Sequence, residues 1–180
     1  MIATAKIQSV CSEEWKSGFL SFASKRLDQI VKDYQMDSIT DISKSLFSNR
    51  SEIMGQAALA LIEKKYGHLL EQEYCQCPIC DKQIKARSQK VKRKIETLVG
   101  PVELKRPYFY CVKCGFGFYP LDDALGLSNR EAQSDIQELE AWLGAEMPYK
   151  TAAETLERCA GIKVSNRHAH DIVNEMAKHI

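Results

Sequence analysis

Cys77-Pro78-Ile79-Cys80 and Cys111-Val112-Lys113-Cys114 stand about 30 residues apart, and the residues between them read as two β-strands. This spacing predicts a zinc ribbon. Each Cys-x-x-Cys turn supplies two thiolates, and paired strands bring the turns together into a tetrahedral four-sulfur site. Cys77, Cys80, Cys111 and Cys114 are therefore the expected ligands of a structural Zn2+. Gly115 lets the second turn close so that backbone N–H groups point at the sulfurs. Pro78 stiffens the first turn, and Asp81 stands where a glycine would suit better. A pair of thioredoxin-like redox motifs would need each Cys-x-x-Cys to open a helix inside a βαβ pattern, which neither does. Disulfides would need an oxidising compartment, of which the sequence carries no sign. Four thiolates fill the coordination sphere and leave no position for water, which argues against a zinc enzyme.

Cys75 lies two residues before the first pair and is a spare thiol that could compete for the metal. Cys11 reads as a free thiol, and Cys159 as a small apolar residue on a helix face. At 180 residues the chain fits one or two small domains. No basic stretch followed by an apolar run opens it, and its longest apolar run, Ala57 to Ile62, is too short to span a bilayer. The expectation is a cytoplasmic, nucleoid-associated prokaryotic protein without a membrane partner.

The net charge of +1 hides an asymmetry. Lys82, Lys85, Arg87, Lys90, Lys92, Arg93, Lys94, Lys105 and Arg106 face only Glu96 and Glu103, a local charge of +7. From Asp122 to Glu146 the sign reverses, with seven acids against Arg130. A basic block inside a ribbon is a candidate phosphate-binding surface, with Lys90, Lys92, Arg93, Lys94, Lys105 and Arg106 as its expected contacts. Lysines also protect exposed strand edges from pairing, so a solvated edge is the other reading. Alternation sends Lys90, Lys92 and Lys94 to one face and Arg93 to the other.

Three regions follow: helical residues 1–74, the ribbon at 75–120, and a second helical region at 121–180. Ser12 is placed to cap a helix on which Trp15, Phe19, Ala23, Leu27, Ile30 and Tyr34 share a face. Ser38 opens a short second helix with Ile39, Ile42 and Leu46, and a third, longer one begins near Ser51 and carries Met54, Ala58, Leu61, Ile62, Leu69 and Leu70. Such stripes serve a core or a helix–helix interface, a homodimer among them. In the ribbon, Lys90 to Thr97 and Val102 to Tyr110 are the expected strands, turned by Val99-Gly100-Pro101. The aromatics around the second cysteine pair suit a small core better than base stacking. Further on, Ser134 and Gln137 form a capping box. Ala152, Ala153, Leu156 and Cys159 share a helix face that ends at Gly161. Ser165 then caps a last helix carrying Ala169, Ile172, Val173 and Met176. Two helices around a glycine turn predict a helix-turn-helix, with Asn166, Arg167 and His170 near its reading end; an ordinary helical hairpin is the alternative.

The run Leu98-Val99-Gly100-Pro101-Val102-Glu103-Leu104-Lys105-Arg106-Pro107-Tyr108-Phe109-Tyr110-Cys111 resembles the ribbon of ISKra-type insertion-sequence transposases. Phe118-Tyr119-Pro120-Leu121-Asp122-Asp123-Ala124-Leu125-Gly126-Leu127 is similar to the stretch that follows it, and Lys150 to Val173 to that family's helix-turn-helix. The resemblance spans roughly residues 50–180. It implies a protein that binds the double-stranded ends of a mobile element, ahead of an RNase H-like catalytic domain. The sequence reaches Ile180 where that domain would begin, so the expected catalysis belongs to a separate transposase polypeptide or frame. Asp122 and Asp123 alone cannot build a two-metal site.

The expected fold is mainly α with a small β zinc ribbon: N-terminal helices, a four-cysteine ribbon and a C-terminal helix-turn-helix. The expected function is DNA binding as the N-terminal portion of a transposase, without catalysis of its own. The alternative is a regulatory, protein-interacting remnant that binds or inhibits an intact transposase.

Overall fold

The computed structural model of the chain describes residues 14–176, and the side chains of Glu14, Asn166, His168, Ala169, Glu175 and Met176 are not among those described. Cys11 and the Ser12 cap lie outside the described residues. Helices α1 (Glu14–Asp33) and α2 (Ile39–Leu70) precede a four-stranded antiparallel sheet of order β1-β2-β3-β4. Its strands are β1 (Tyr74–Gln76), β2 (Gln83–Thr97), β3 (Gly100–Cys111) and β4 (Phe116–Phe118). Four helices follow: α3 (Pro120–Leu125), α4 (Ser134–Glu146), α5 (Tyr149–Thr155) and α6 (Asn166–Met176). Helices on both sides of a small sheet in sequence agree with the expected class.

The expected second and third helices are one. Ser38 caps it by accepting from the Asp41 N–H at 3.2 Å. The anticipated break near Ser51 does not occur, because the polar residues before it bond back along the helix. Ser48 Oγ donates to the Lys44 carbonyl at 2.9 Å, and Asn49 Nδ2 to that of Ser45 at 2.7 Å. Only Tyr66, near the far end, leaves helical geometry.

The expected strands are correctly sited but shorter than those formed. The turn between them is Leu98–Val99, with Gly100 already in β3 opposite Thr97. Gly100 has φ +134, and a Cβ there would lie 1.9 Å from the Ser51 carbonyl oxygen. A Cβ on Gly55 would lie 2.2 Å from the Pro101 carbonyl oxygen. Two glycines thus let the hairpin turn press backbone to backbone against α2.

Burial on β3 changes parity along the strand. Val102, Leu104 and Arg106 are buried near the turn; Pro107, Phe109 and Cys111 are buried beyond it. β2 does likewise, with Val91, Arg93 and Ile95 turned inward at one end and Ile84 and Ala86 at the other. The switch falls where the β2–β3 register shifts, between Ala86 and Val91, which means bulges on β2. At the turn end the covered face holds Ile95, Val102 and Leu104 against Ile62 and Leu69 of α2 and Leu121 of α3. At the other end the opposite face is covered by a ring stack, Phe109 on Phe118 and Phe118 on Phe116.

In the C-terminal region, the N-cap of α4 is Gln133, and Ser134 is already helical. Gln137 donates to the Ala132 carbonyl at 2.7 Å, so the capping box does not form. Helix α5 continues into a wide π-type turn, Leu156–Ala160, and ends at Gly161 in the left-handed conformation, φ 69. The expected face is half right. Ala152, Ala153 and Leu156 are buried with Leu143 of α4, but the wide turn rotates Cys159 to the surface. Leu27 and Tyr34 of α1, and Met54 and Leu61 of α2, from stripes expected to serve a core or a helix–helix interface, are exposed. No helix among the described residues is long and apolar enough to cross a membrane.

Candidate metal centre and the basic strand faces

Both cysteine pairs occupy the same kind of turn at the same end of the sheet. In the first, the Asp81 N–H donates to the Cys77 carbonyl at 2.9 Å; in the second, Gly115 N–H donates to that of Cys111 at 2.9 Å. The fifth residue of each turn is left-handed, Gly115 at φ 66 and Asp81 at φ 56. Aspartate is one of the few residues that tolerates this region, so the missing glycine is no obstacle. β3 ends at Cys111, and its pairing with β2 brings that turn against the one between β1 and β2.

The Sγ atoms of Cys77, Cys80, Cys111 and Cys114 all lie within 4.8 Å of one another. A tetrahedron of thiolates at about 2.3 Å from a central ion has sulfur–sulfur edges of about 3.8 Å. The Cys80–Cys111 edge measures 3.7 Å. Four sulfurs at this spacing could hold a metal ion. Cys77 and Cys111 are buried, Cys80 and Cys114 half-buried. The Cys114 backbone N–H, donating to the Cys111 sulfur, holds that thiol down at about 7. Its neighbour Cys114 is pushed up to about 12, first by its hydrogen bond with Cys80 and then by burial. Cys75 stands outside the cluster, and burial pushes its thiol up to about 11.

Lys82 is exposed in the turn before β2, and the other eight cations of the ribbon divide into three groups. Lys90, Lys92 and Lys94 are exposed on one face of β2, as alternation required, and Lys105 of β3 stands opposite Lys92. Lys92 meets Glu103 at 3.2 Å, and Lys94 meets Glu96 at 2.7 Å and Glu131 at 3.4 Å. The second group lies on the other face beyond the bulges. Arg87 sits over the Tyr110 ring and Lys85 over Tyr74, both exposed.

Arg93 and Arg106 form the third group, and both correct the expectation of phosphate contacts. Arg106 is 4% exposed and grips Asp122 through Nε at 2.5 Å and Nη2 at 2.7 Å. Its guanidinium lies 3.9 Å from the Tyr119 ring centre. Arg93 Nη1 reaches the same carboxylate at 2.7 Å, and its Nη2 bonds the Ser128 carbonyl. The acid-rich stretch therefore supplies an internal partner for the basic one. The signal was in the sequence: the sole arginine of Lys90-Val91-Lys92-Arg93-Lys94 has inward parity, and a planar fork suits a buried carboxylate better than an ammonium does.

On α6, Arg167 and His170 are exposed; the Asn166 side chain lies outside the described residues. His170 stands edge-on to Tyr149 of α5, and Asn174 Nδ2 donates to its carbonyl at 2.9 Å.

Residues 38–179 match the sequence model of one family, described as an uncharacterised protein family, UPF0236. No curated protein matches the chain.

Proposed function

The chain belongs to that family, UPF0236, and we propose that it is a zinc-stabilised DNA-binding protein, the end-recognising portion of an ISKra-type transposase. Zn2+ would be held by Cys77, Cys80, Cys111 and Cys114, where it supplies a structural cross-link. The observation that carries the DNA reading is the outward row of Lys90, Lys92 and Lys105 on a rigid antiparallel ladder. Among the described residues, Lys90 and Lys105 have no carboxylate partner, so their charge is available to phosphate. Phosphate contacts of this kind position a protein on a duplex without reading its sequence.

Sequence preference falls to α6, acting with α5 as a helix-turn-helix. The left-handed Gly161 and the short connection 161–165 support this, as do Arg167 and His170 near the N-terminal end of α6. Cleavage chemistry is assigned elsewhere, to a separate catalytic polypeptide. Asp122 is occupied by two arginines and is not available to hold a catalytic ion.

Competition binding at two salt concentrations, with chosen and random duplexes, tests the division of labour. Replacing Lys90, Lys92 and Lys105 with glutamine should weaken binding to all duplexes alike and lower the salt slope by roughly one per lost contact. Arg167→Ala should instead erode discrimination, by about 1–3 kcal/mol if the side chain makes a bidentate base contact. Affinity that ignores both salt and the lysine substitutions would refute the reading.

A further inference from the structure

Among the described residues, nothing covers one face of the helical hairpin. On α1, Leu20, Leu27, Val31 and Tyr34 form a stripe and are 41% to 67% exposed. On α2, Ile39, Leu46, Met54 and Leu61 recur every two turns and are 42% to 78% exposed. Helix geometry, about 100° per residue, sets where these stripes point. Around α2, the sheet-facing side (Gly55, Ile62), the α1-facing side (Asn49) and the exposed stripe follow at steps of about 130° and about 100°. Around α1, the exposed stripe lies about 90° from the side carrying Arg26 and Ile30. Because α1 runs antiparallel to α2, the sense of rotation reverses, and both stripes open on the side of the hairpin away from the sheet.

The two stripes also share a midpoint. Leu27 is central between Leu20 and Tyr34, and Arg50 between Ile39 and Leu61; Arg50 lies over the Phe47 ring and its Nη2 donates to the Cys159 carbonyl at 3.2 Å, which turns its charge aside to the C-terminal region of its own copy. The helices are pinned together at that level, where Arg26 Nη2 donates to Asn49 Oδ1 at 2.8 Å and pairs with Glu52 at 2.7 Å. The eight side chains present roughly 800 Å², the share one partner contributes to a standard interface and more than the largest apolar patch of a typical monomer.

We infer that this face is the contact between two copies of the chain, related by a two-fold axis at the level of Leu27 and Arg50. A patch centred on its own midpoint is self-complementary under such an axis. Crossing antiparallel, Leu20 of one copy meets Tyr34 of the other, and Lys16 comes beside the acidic Asp37–Asp41 end. The four helices then form an antiparallel bundle with a buried seam, and the sheet of each copy stays on the outside. This contact requires neither the metal nor DNA.

Light scattering on the full chain during size exclusion, at micromolar concentration, tests it. The expected mass is twice the 20.4 kDa of one chain. Leu27→Glu with Leu46→Glu should halve that mass while helical circular dichroism is kept. A monomeric parent chain overturns the inference, and so does a variant that keeps the doubled mass. If the double variant loses helicity, the charged rim decides. Lys16→Asp and Asp37→Lys should each weaken association several-fold, and their combination should restore it; failure of the combination to restore it overturns the pairing. A chain that dimerises only after deletion of residues 1–13 would assign the face to that segment instead, and would likewise overturn it.

Discussion

The two ends of the β2–β3 hairpin belong to one ladder but are held by different means. At the turn end, Ile95, Val102 and Leu104 are covered by α2 and α3, and the buried Arg93–Asp122–Arg106 cluster ties strands to helix. At the far end the opposite face is covered, by three stacked phenylalanines and the four-sulfur cluster. A β4 of three residues offers little area to bury. Small sheets without a helix against them usually need a metal or disulfide to persist. The difference teaches that the cysteines stand where apolar cover runs out.

The largest effect expected from breaking this contrast is at the cysteines. Cys77→Ser or Cys114→Ser should abolish tight zinc binding, measured by elemental analysis of protein purified without chelator. Cys159→Ser, exposed and far along the chain from the cluster, should leave it intact. Structural zinc sites contribute on the order of 10 kcal/mol in small domains. Hydrogen exchange in the cysteine variants should therefore rise sharply from Phe109 to Cys111 and stay slow from Val102 to Leu104. Equal loss of protection at both ends would show that the ladder is a single cooperative unit.

Asp122→Ala attacks the turn end instead. It leaves the buried Arg106 guanidinium without its carboxylate, at an expected cost of about 3–5 kcal/mol. A urea midpoint should report that loss while zinc content is unchanged. The smallest effect is expected at the outer face of the metal end. There Arg87→Ala removes an exposed stack on Tyr110, worth about 0.5–1 kcal/mol.

The cysteine cluster was legible because ligand spacing is a local property, and the strands were legible because a ribbon must join the two turns. The alternation of Lys90, Lys92 and Lys94 was legible for the same local reason. What the sequence did not disclose depends on contacts distant along the chain. Whether Arg106 grips phosphate or Asp122 is decided by where α3 lands, 16 residues later. Ser48 and Asn49 resemble a helix break, yet Asn49 is held by Arg26 of α1, 23 residues earlier. Apolar periodicity cannot separate a stripe that faces the core from one that faces outward, and Leu27 and Met54 belong to the second kind.

The bulges between Ala86 and Val91 carry a consequence for how the gene can vary. Substitutions there change one side chain at a time and leave the ladder's phase alone. Loss or gain of a single codon would shift the phase of everything on one side relative to the other. Lys90, Lys92 and Lys94 would then turn toward α2 while Val91 and Ile95 turned to water. Ser88 and Gln89 in this short stretch should accept missense changes more readily than one-residue deletions, a pattern that a library of substitutions and single-codon deletions across β2 would read out directly.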